Sequence, residues 1–289
     1  METAAHEISS TSVGGVSESE SELELDGVTL DFSGLRAIDH VSFSVRRGEL
    51  FSIIGPNGAG KTSLFNCISG VYRPSAGTIR RGGIDITGWR PHRVAASQVA
   101  RTFQNVEAFG TMTVLESMLL GRNSKLRSGL VSGALWWGRA VHEEVEARRK
   151  VEEVIEFLEI ESLRHAPVGS LPHGLRKRVE LGRALSMDPT LLLLDEPVAG
   201  MNVEETEDMV RFVLDVHDEL GITVVLVEHD MGVVMDISDR VAVLDFGQLV
   251  AVGEPSAIAR DPRVLSCYLG QTQVALKDTD NGNDSTAEA

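Results

Sequence analysis

One glycine-rich stretch decides the fold, and it reads Gly55-Pro56-Asn57-Gly58-Ala59-Gly60-Lys61-Thr62-Ser63. It fits the pattern GxxxxGK[ST] and follows the apolar run Leu50–Ile54, which predicts a buried strand, while the residues after it predict a helix. Glycines at these positions allow backbone N–H groups to turn toward anionic oxygens, and a helix N-terminus favours the same negative charge. We therefore predict that residues 55–63 bind the phosphates of ATP, with Lys61 at the β- and γ-phosphates and Thr62 as a Mg²⁺ ligand.

Two adjacent acidic residues form a second motif. Asp195 and Glu196 follow the apolar run Leu191–Leu194, which predicts another buried strand. Since neighbouring residues on a strand face opposite sides, the two carboxylates need different roles. We predict that Asp195 holds Mg²⁺, directly or through water, and that Glu196 activates the attacking water as a general base. The two motifs together are typical of a P-loop ATPase.

The remaining pattern alternates strands with helices. Val41–Val45 alternates apolar and polar residues, and short apolar runs recur at Thr223–Val227 and Val241–Leu244. Helix-like segments at 203–219 and 231–237 lie between the later runs. This order predicts an α/β fold whose core sheet is mainly parallel and carries helices on its faces.

Residues 106–180 differ from this alternation, because they hold few β-branched clusters and one long helical pattern. Apolar residues recur there at three- and four-residue steps, and they include Val141, Val145, Val151, Val154, Ile155 and Leu158. The spacing predicts an amphipathic helix. We interpret the whole stretch as a helical subdomain inserted into the α/β core.

Length and charge limit the class of protein. The chain has 289 residues and a formal net charge of -16, which counts against a nucleic-acid partner because phosphate contacts need clustered Lys and Arg. Residues 1–22 carry five Glu and no Lys or Arg, and residues 272–289 carry four acidic residues and one Lys. We predict disordered acidic tails at 1–22 and 272–289, and an ATPase domain over 23–271.

Signals for targeting, membrane insertion and disulfide formation are weak. The first residues lack the basic and apolar regions of a signal peptide, and no apolar run approaches the roughly 18–20 residues of a membrane span. Cys67 and Cys267 have neither zinc-site spacing nor a disulfide framework around them, so two free thiols are expected. These features predict a cytosolic protein, unless a partner holds it at a membrane.

Across residues 23–271 the chain resembles the ATP-binding subunits of ABC transporters, and the order of the motifs carries the resemblance. It implies that Gln104, in the family's Q-loop position, contacts Mg²⁺ and the attacking water. It also implies that His229, after the last core strand, is the switch histidine that contacts the γ-phosphate or that water. With Glu196, these two residues form the predicted catalytic set. Phe32 lies where the family places an aromatic ring on adenine, although an ordinary core role for it stays open.

The family's LSGGQ signature motif has an altered form in this chain. Its positions are occupied by Leu171-Pro172-His173-Gly174-Leu175. The first glycine is kept, but the serine hydroxyl is lost at Pro172 and the glutamine at Leu175. The resemblance implies that this motif contacts the ATP held by a second subunit. Its Leu-Pro-aromatic-Gly pattern looks like the branch that imports branched-chain and related hydrophobic amino acids, although His173 replaces the usual tyrosine, and urea and amide importers look very similar.

The same resemblance implies several partners. In this family two ATP-binding subunits, identical or different, close head to tail around two ATP molecules and drive integral membrane permease subunits. A periplasmic or extracellular substrate-binding protein acts on those permeases. The chain would then be peripheral at the cytoplasmic face of the cell (inner) membrane, with residues 106–120 as the predicted contact with the permease.

Other functions remain possible at this point. One is the ATPase of a lipid-extraction or export system, which shares much of this sequence pattern. Another is a non-transport ABC ATPase, which the single cassette and the missing basic patch disfavour. Trp136 and Trp137 either pack under the following helix or contact the membrane subunit or the lipid interface.

Overall fold

The computed structural model describes residues 21–102, 110–122 and 137–268, with side chains from residue 142 onward in the last range. Several predicted features lie outside the described residues. They are Gln104, Trp136, the Trp137 side chain, residues 106–109 of the predicted permease contact, residues 1–20 of the first acidic tail and the whole tail 272–289. The first strand begins at Ser21, inside the predicted tail 1–22. The reason is that Glu22 is 1% exposed and pairs with Arg47 and Arg81.

An antiparallel sheet forms the first layer, with the strand order β2-β1-β4-β5. Its strands are β1 (Ser21–Phe32), β2 (Leu35–Arg46), β4 (Ala76–Arg81) and β5 (Ile84–Asp85). Residues Leu25 and Phe43 lie opposite each other in the β1–β2 pair and are both buried. The alternation predicted at Val41–Val45 is thereby confirmed, because its apolar residues face the core and its serines do not.

A mainly parallel sheet forms the second layer, with the strand order β10-β9-β3-β8-β7-β6. Its strands are β3 (Leu50–Ile54), β6 (Val99–Arg101), β7 (Leu191–Asp195), β8 (Thr223–Val227), β9 (Arg240–Asp245) and β10 (Gln248–Gly253). Only β10 pairs in the antiparallel sense within this sheet. Every residue of β3, β7 and β8 is buried, as expected for parallel strands covered on both faces.

Helices pack against the second sheet and against one another. They are α1 (Lys61–Ile68), α2 (Pro91–Ala96), α3 (Val114–Arg122), α4 (Trp137–Phe157), α5 (His173–Leu185), α6 (Val203–Asp218), α7 (Met231–Ile237) and α8 (Pro255–Ile258). The predicted helices at 203–219 and 231–237 are confirmed as α6 and α7. A capping box starts α6, because the Asn202 side chain accepts from the Glu205 N–H at 2.9 Å and the Glu205 carboxylate accepts from the Asn202 N–H at 3.1 Å.

Helix α4 is amphipathic, but its buried stripe differs from the predicted one. Val151 and Ile155 are fully buried, whereas Val145 is 59% exposed. Ala147, at 5% exposure, takes the next position of the stripe toward the N-terminus. A four-residue step back from Val151 reaches residue 147, so the small alanine marks the packed face and the larger valine does not.

Alternate residues of the central strands feed two separate cores. Along β7, Leu191 and Leu193 belong to the core between the two sheets. Leu192 and Leu194 belong to a second core that the strand shares with helices α3, α4, α5 and α6. A continuous run of apolar residues is therefore expected, since both faces of the strand are covered.

None of the helices in the described ranges combines the length and the apolar character that a bilayer crossing requires. Cys67 and Cys267 are both free thiols, as expected, and burial raises the pKa of Cys67 to about 12.

Candidate functional site

One edge of the second sheet gathers the predicted site residues. Strands β3, β7 and β8 run parallel, so the segments that follow Ile54, Asp195 and Val227 emerge at the same edge. A cavity of about 410 Å³ opens beside them. The residues that line it are Leu35, Arg36, Ala37, Asn57, Gly58, Ala59, Gly60, Lys61, Thr62, Ser63, Glu196 and Phe246.

Two glycines of the loop 55–63 are required by close backbone packing. Gly55 has φ 149° and lies so near the Leu244 carbonyl of β9 that a side chain there would collide with it. Gly60 has φ 101°, and a Cβ atom at this position would lie 2.7 Å from the Ala37 carbonyl oxygen. Helix α1 begins directly after Gly60 without a side-chain cap. The loop thus brings backbone and a helix N-terminus to the cavity, which suits an anionic ligand.

Lys61 is held within the loop. Its ammonium donates to the Gly55 carbonyl at 2.6 Å and to the Pro56 carbonyl at 3.1 Å, and the residue is 8% exposed. Burial lowers the pKa of Lys61, while Glu196 and Asp195 oppose that shift. A partly dehydrated cation gains more from an anionic partner than a hydrated one does, so Lys61 is suited to contact phosphate oxygens.

Asp195 is buried, and only one of its two carboxylate oxygens is paired. Oδ2 accepts from Nη2 of Arg101 at 2.8 Å, with side-chain exposures of 3% for Asp195 and 8% for Arg101. The same guanidinium donates through Nη1 to Asn66 and Ser69 of the α1 region, at 2.7 and 3.0 Å. Among the described residues, Oδ1 of Asp195 has no hydrogen-bond partner and is inaccessible to solvent. Arg101 therefore fixes one oxygen of Asp195 and leaves the other for a further ligand.

The donors around this oxygen fit Mg²⁺. The described residues contain no cluster of three or more His, Cys, Asp and Glu side chains that could hold a metal ion by themselves. Mg²⁺ in nucleotide sites needs no such cluster, because it takes one or two protein oxygens together with phosphates and waters. The unpaired Oδ1 of Asp195 and the hydroxyl of exposed Thr62 provide that small set of hard oxygen donors. Gln104, the third predicted ligand, lies outside the described residues.

Glu196 leaves the strand in a different direction from Asp195. Its φ is 51°, a left-handed conformation that is unusual for a residue with a side chain. The Glu196 N–H donates to the Val227 carbonyl at 2.8 Å, and the Lys177 ammonium donates to the Glu196 carbonyl at 3.2 Å. The carboxylates of Asp195 and Glu196 consequently occupy a buried position and the cavity wall, respectively. The two acids thus have different environments, as expected for neighbours at a strand end, and their roles stay predictions.

His229 and Phe32 are near this edge but do not line the cavity of this chain. The His229 side chain is 60% exposed, and its backbone N–H donates to Oε2 of Glu228 at 3.1 Å. Phe32 is 40% exposed and meets the ring of Tyr72 edge-on, with centroids 5.1 Å apart. An exposure this high does not fit the core alternative for Phe32. The roles of His229 and Phe32 toward ATP stay predictions.

The signature positions lie at the start of α5 and not in the cavity. Leu171 is 8% exposed, Pro172 is the N-cap residue of α5, and His173 is its first helical residue. Gly174 is buried against the Glu205 carboxylate, which a Cβ atom at this position would approach within 2.6 Å. Leu175 packs against the second core as a half-buried side chain. The signature positions therefore do not line the cavity beside loop 55–63, and their role toward the ATP of a second subunit stays a prediction.

Several residues that shape the site were not predicted from the sequence. Leu35 and Phe246 are 70% and 85% exposed, and with Ala37 they give the cavity an apolar wall beside its polar loop. The turn after Phe246 is tied to the loop, because the Gly247 N–H donates to the Ala59 carbonyl at 3.0 Å. Phe246 follows the predicted strand Val241–Leu244 in the short turn Asp245-Phe246-Gly247, and an aromatic residue in such a turn is the signal that could have indicated this wall.

Glu180 on α5 is a buried acid outside the cavity. It is 4% exposed, and its Oε1 has no hydrogen-bond partner among the described residues. Burial raises the pKa of Glu180 to about 7, although Lys177, Arg183 and Arg176 lower it. The Lys177 ammonium lies 3.9 Å from Oε2. Glu180 is therefore the acid whose ionisation we expect to affect stability near neutral pH.

Replacing Glu180 by Gln is expected to alter how stability depends on pH. The folded-state pKa of Glu180, about 7, exceeds the ordinary glutamate pKa of 4.5, so the folded protein holds this proton where the unfolded chain has lost it. The stabilisation is fully present below about pH 4.5 and is lost as the pH rises through about 7. Urea unfolding from pH 5 to 8 should show the native chain losing up to ~3 kcal/mol relative to Glu180→Gln. The exposed Glu204→Gln serves as the control, and parallel stability curves for the native chain and Glu180→Gln would contradict the expectation.

Comparison with known proteins agrees with this arrangement. Residues 38–199 match the family model described as ABC transporter. The high-affinity branched-chain amino acid transport ATP-binding protein BraF of Pseudomonas aeruginosa is 38% identical over 249 residues, which cover 86% of this chain and 98% of BraF. The corresponding protein LivG of Escherichia coli K12 is 36% identical over the same shares of the two chains.

The fold is likewise shared with solved structures. The ADP conformation of MJ1267, an ATP-binding cassette of an ABC transporter, is 33% identical in sequence and has a TM-score of 0.76. The match covers 86% of this chain and 99% of that one. A nucleotide-free ATP-binding cassette from an ABC transporter matches with the same TM-score at 32% identity.

Proposed function

The chain belongs to the ABC transporter family of ATP-binding proteins, and from that membership we propose that it powers an importer of branched-chain or related hydrophobic amino acids. As a family member it binds and hydrolyses ATP to energise transport. The amino-acid cargo is proposed because BraF and LivG, which bear branched-chain amino acid names, align with nearly their whole length. The observation that carries the proposal is the meeting of loop 55–63 with Glu196 at one cavity, in a chain of this identity to those proteins.

The site residues divide the work of hydrolysis. Loop 55–63 orients the phosphates through backbone N–H groups, and Lys61 contributes positive charge at the β- and γ-phosphates. Glu196, at the cavity wall, accepts the proton of the attacking water. Thr62 and Asp195, together with Gln104, would hold Mg²⁺, which neutralises phosphate charge when bound. His229 would contact the γ-phosphate or the water from the segment that follows β8.

A second ATP-binding subunit would complete the site. The signature residues 171–175 of this chain lie at the start of α5 and do not line its cavity. Each ATP would therefore lie between the loop 55–63 of one subunit and the signature motif of the other. Closure over ATP and reopening after hydrolysis would then be the step that moves the permease subunits.

The proposed assembly places this subunit at the cytoplasmic face of the cell membrane, against integral permeases that receive substrate from a binding protein. Within the chain, residues 23–271 would form the ATPase domain and about 106–180 its helical subdomain. The two acidic tails would lie outside that domain.

Reconstitution of the complete transporter tests the proposed cargo. The full-length chain, co-purified with its permease subunits and incorporated into liposomes with the binding protein, should drive ATP-dependent uptake of labelled leucine, isoleucine and valine. The same preparation carrying Glu196→Gln provides the matched control without hydrolysis. Uptake of urea or extraction of lipid in place of these amino acids would replace the proposal with one of those alternatives.

Restoring the signature side chains is expected to raise turnover. Pro172 is the N-cap of α5 and makes no side-chain cap hydrogen bond, and Leu175 contributes a half-buried apolar side chain in place of an amide. Pro172→Ser with Leu175→Gln would supply a hydroxyl and an amide near the γ-phosphate of the facing ATP. We expect the ATPase rate of the purified assembly to rise about fivefold, which corresponds to ~1 kcal/mol of transition-state stabilisation. Pro172→Ser with Leu175→Ala is the control, and an unchanged rate in the doubly restored assembly would show that the lost groups do not limit turnover.

A further inference from the structure

Glu228 is a buried carboxylate to which the proposed mechanism assigns no role. It comes directly after strand β8 and directly before His229, and it is 0% exposed. A charged group is rarely enclosed to this extent unless several donors compensate for the loss of water. The hydrogen bonds that compensate Glu228 join two loops of the site.

The two carboxylate oxygens of Glu228 bind different segments of backbone. Oε1 accepts from the Val198 N–H at 3.0 Å, and Val198 lies two residues after Glu196. Oε2 accepts from the His229 N–H at 3.1 Å and lies 3.7 Å from Nδ1 of the His229 ring. Burial raises the pKa of Glu228, whereas the backbone donors Val198, His229 and Asp230 lower it. A single carboxylate therefore connects the segment after Glu196 to the segment that carries His229.

Each segment has a further anchor at one end only. The Glu228 link therefore fixes how the rest of the two segments lie relative to each other. The Glu196 N–H donates to the Val227 carbonyl at 2.8 Å, which ties the start of the first segment to β8. The Asp230 side chain caps α7 by accepting from the N–H groups of Gly232 and Val233. Within the described residues, Glu228 provides the one side-chain hydrogen bond that joins the stretch from Pro197 to Gly200 to the end of β8.

The first segment also lies close to the signature motif of the same chain. A Cβ atom at Gly200 would lie 3.4 Å from the His173 ring at the start of α5. A displacement of this segment would therefore change the surroundings of two residues. One is His229, near this chain's proposed ATP site, and the other is His173, in the motif proposed to face the other ATP.

We propose that Glu228 is a positioning residue that holds the segment after Glu196 and the segment of His229 in one arrangement, so that both side chains act on the same attacking water. This inference rests on the proposed function. Gln is nearly the same size, but its NH₂ group would face a backbone N–H in one of the two positions, so one of the two links would be lost. Glu228 acts through its neighbours and does not contact the reacting atoms.

Kinetics of Glu228→Gln in the purified full-length assembly test this role. We expect kcat for ATP hydrolysis to fall about tenfold while KM for ATP changes less than twofold, because loop 55–63 is not affected. In a His229→Ala background, the additional effect of Glu228→Gln should shrink to less than threefold, since the two residues act in one unit. Equal fold-losses in both backgrounds, or an unchanged kcat, would overturn the proposal.

A buried glutamate elsewhere in the chain provides the matched control. Glu22 is 1% exposed and is paired with Arg47 and Arg81, away from the cavity. Glu22→Gln should lower the urea midpoint without lowering kcat, whereas Glu228→Gln should lower kcat even where folding is intact. If kcat fell in proportion to the urea midpoint in both variants, Glu228 would have only a structural role and the proposal would be wrong. Glu196→Gln in the same assembly distinguishes a failure of the proposed mechanism from a failure of the role proposed for Glu228. If Glu196→Gln kept full activity, the proposed mechanism itself would be wrong.

Discussion

Glu196→Gln is expected to lower the rate of ATP hydrolysis by at least about 100-fold and to leave ATP affinity within about twofold, because the amide cannot accept the proton of the attacking water. The carboxylate lines the cavity, while the groups predicted to bind phosphate, Lys61 and the backbone of loop 55–63, are not altered. Steady-state ATPase assays and equilibrium nucleotide binding on the same full-length assembly measure the two quantities separately.

The backbone at Glu196 supports this expectation. The Glu196 N–H donates to the Val227 carbonyl, a backbone bond that does not involve the side chain, and the left-handed φ of 51° makes the same demand on Gln as on Glu. Gln is therefore expected to preserve the shape of the site and to remove only the proton acceptor. Glu207→Gln, which changes an exposed carboxylate of α6, is the matched control. Retained hydrolysis in Glu196→Gln would exclude this residue as the base.

The sequence was sufficient for features that depend on local pattern. The strands Leu50–Ile54 and Thr223–Val227 were predicted with the bounds that the structure gives, because each is a short apolar run between turn residues. A loop between Ile54 and helix α1 was predicted from the motif, and Gly55 and Gly60 of that loop are required by close backbone packing. Asp195 and Glu196 were assigned to different environments from the alternation of strand side chains alone.

Features that depend on strand order could not be predicted in this way. Arg101 meets Asp195 because β6 pairs with β7 in parallel, and nothing in the 93 intervening residues indicates that these two strands are neighbours. Phe246 reaches the cavity because β9 lies next to β3 and its turn bonds to Ala59. The prediction that Val145 lies on the packed face of α4 was wrong for a related reason. Residue type alone suggested valine, whereas the elements packed against α4 bury Ala147.

Arg101→Met is expected to lower the free energy of unfolding by ~3–5 kcal/mol, because it leaves the carboxylate of Asp195 buried without its partner. The side chains of the pair are 8% and 3% exposed, and methionine fills similar space without charge. Urea unfolding of the full-length chain measures the loss. Since Oδ1 of Asp195 is the proposed Mg²⁺ ligand, Mg²⁺ with ATP should stabilise Arg101→Met by more than it stabilises the native chain.

The double variant Arg101→Met with Asp195→Leu separates the pair from the mere loss of a side chain. Removing both charges should recover most of the stability, as is common for buried ion pairs that are replaced by apolar residues. Arg178→Met is the matched control, because Arg178 is 15% exposed but its partner Asp208 is 46% exposed, and a pair of this kind contributes only about 1 kcal/mol or less. If Arg101→Met costs no more than Arg178→Met, the Asp195 carboxylate does not depend on Arg101. The bond from the Asp195 N–H to the Thr102 hydroxyl, at 3.2 Å, would then hold the backbone of the proposed Mg²⁺ ligand without help from Arg101.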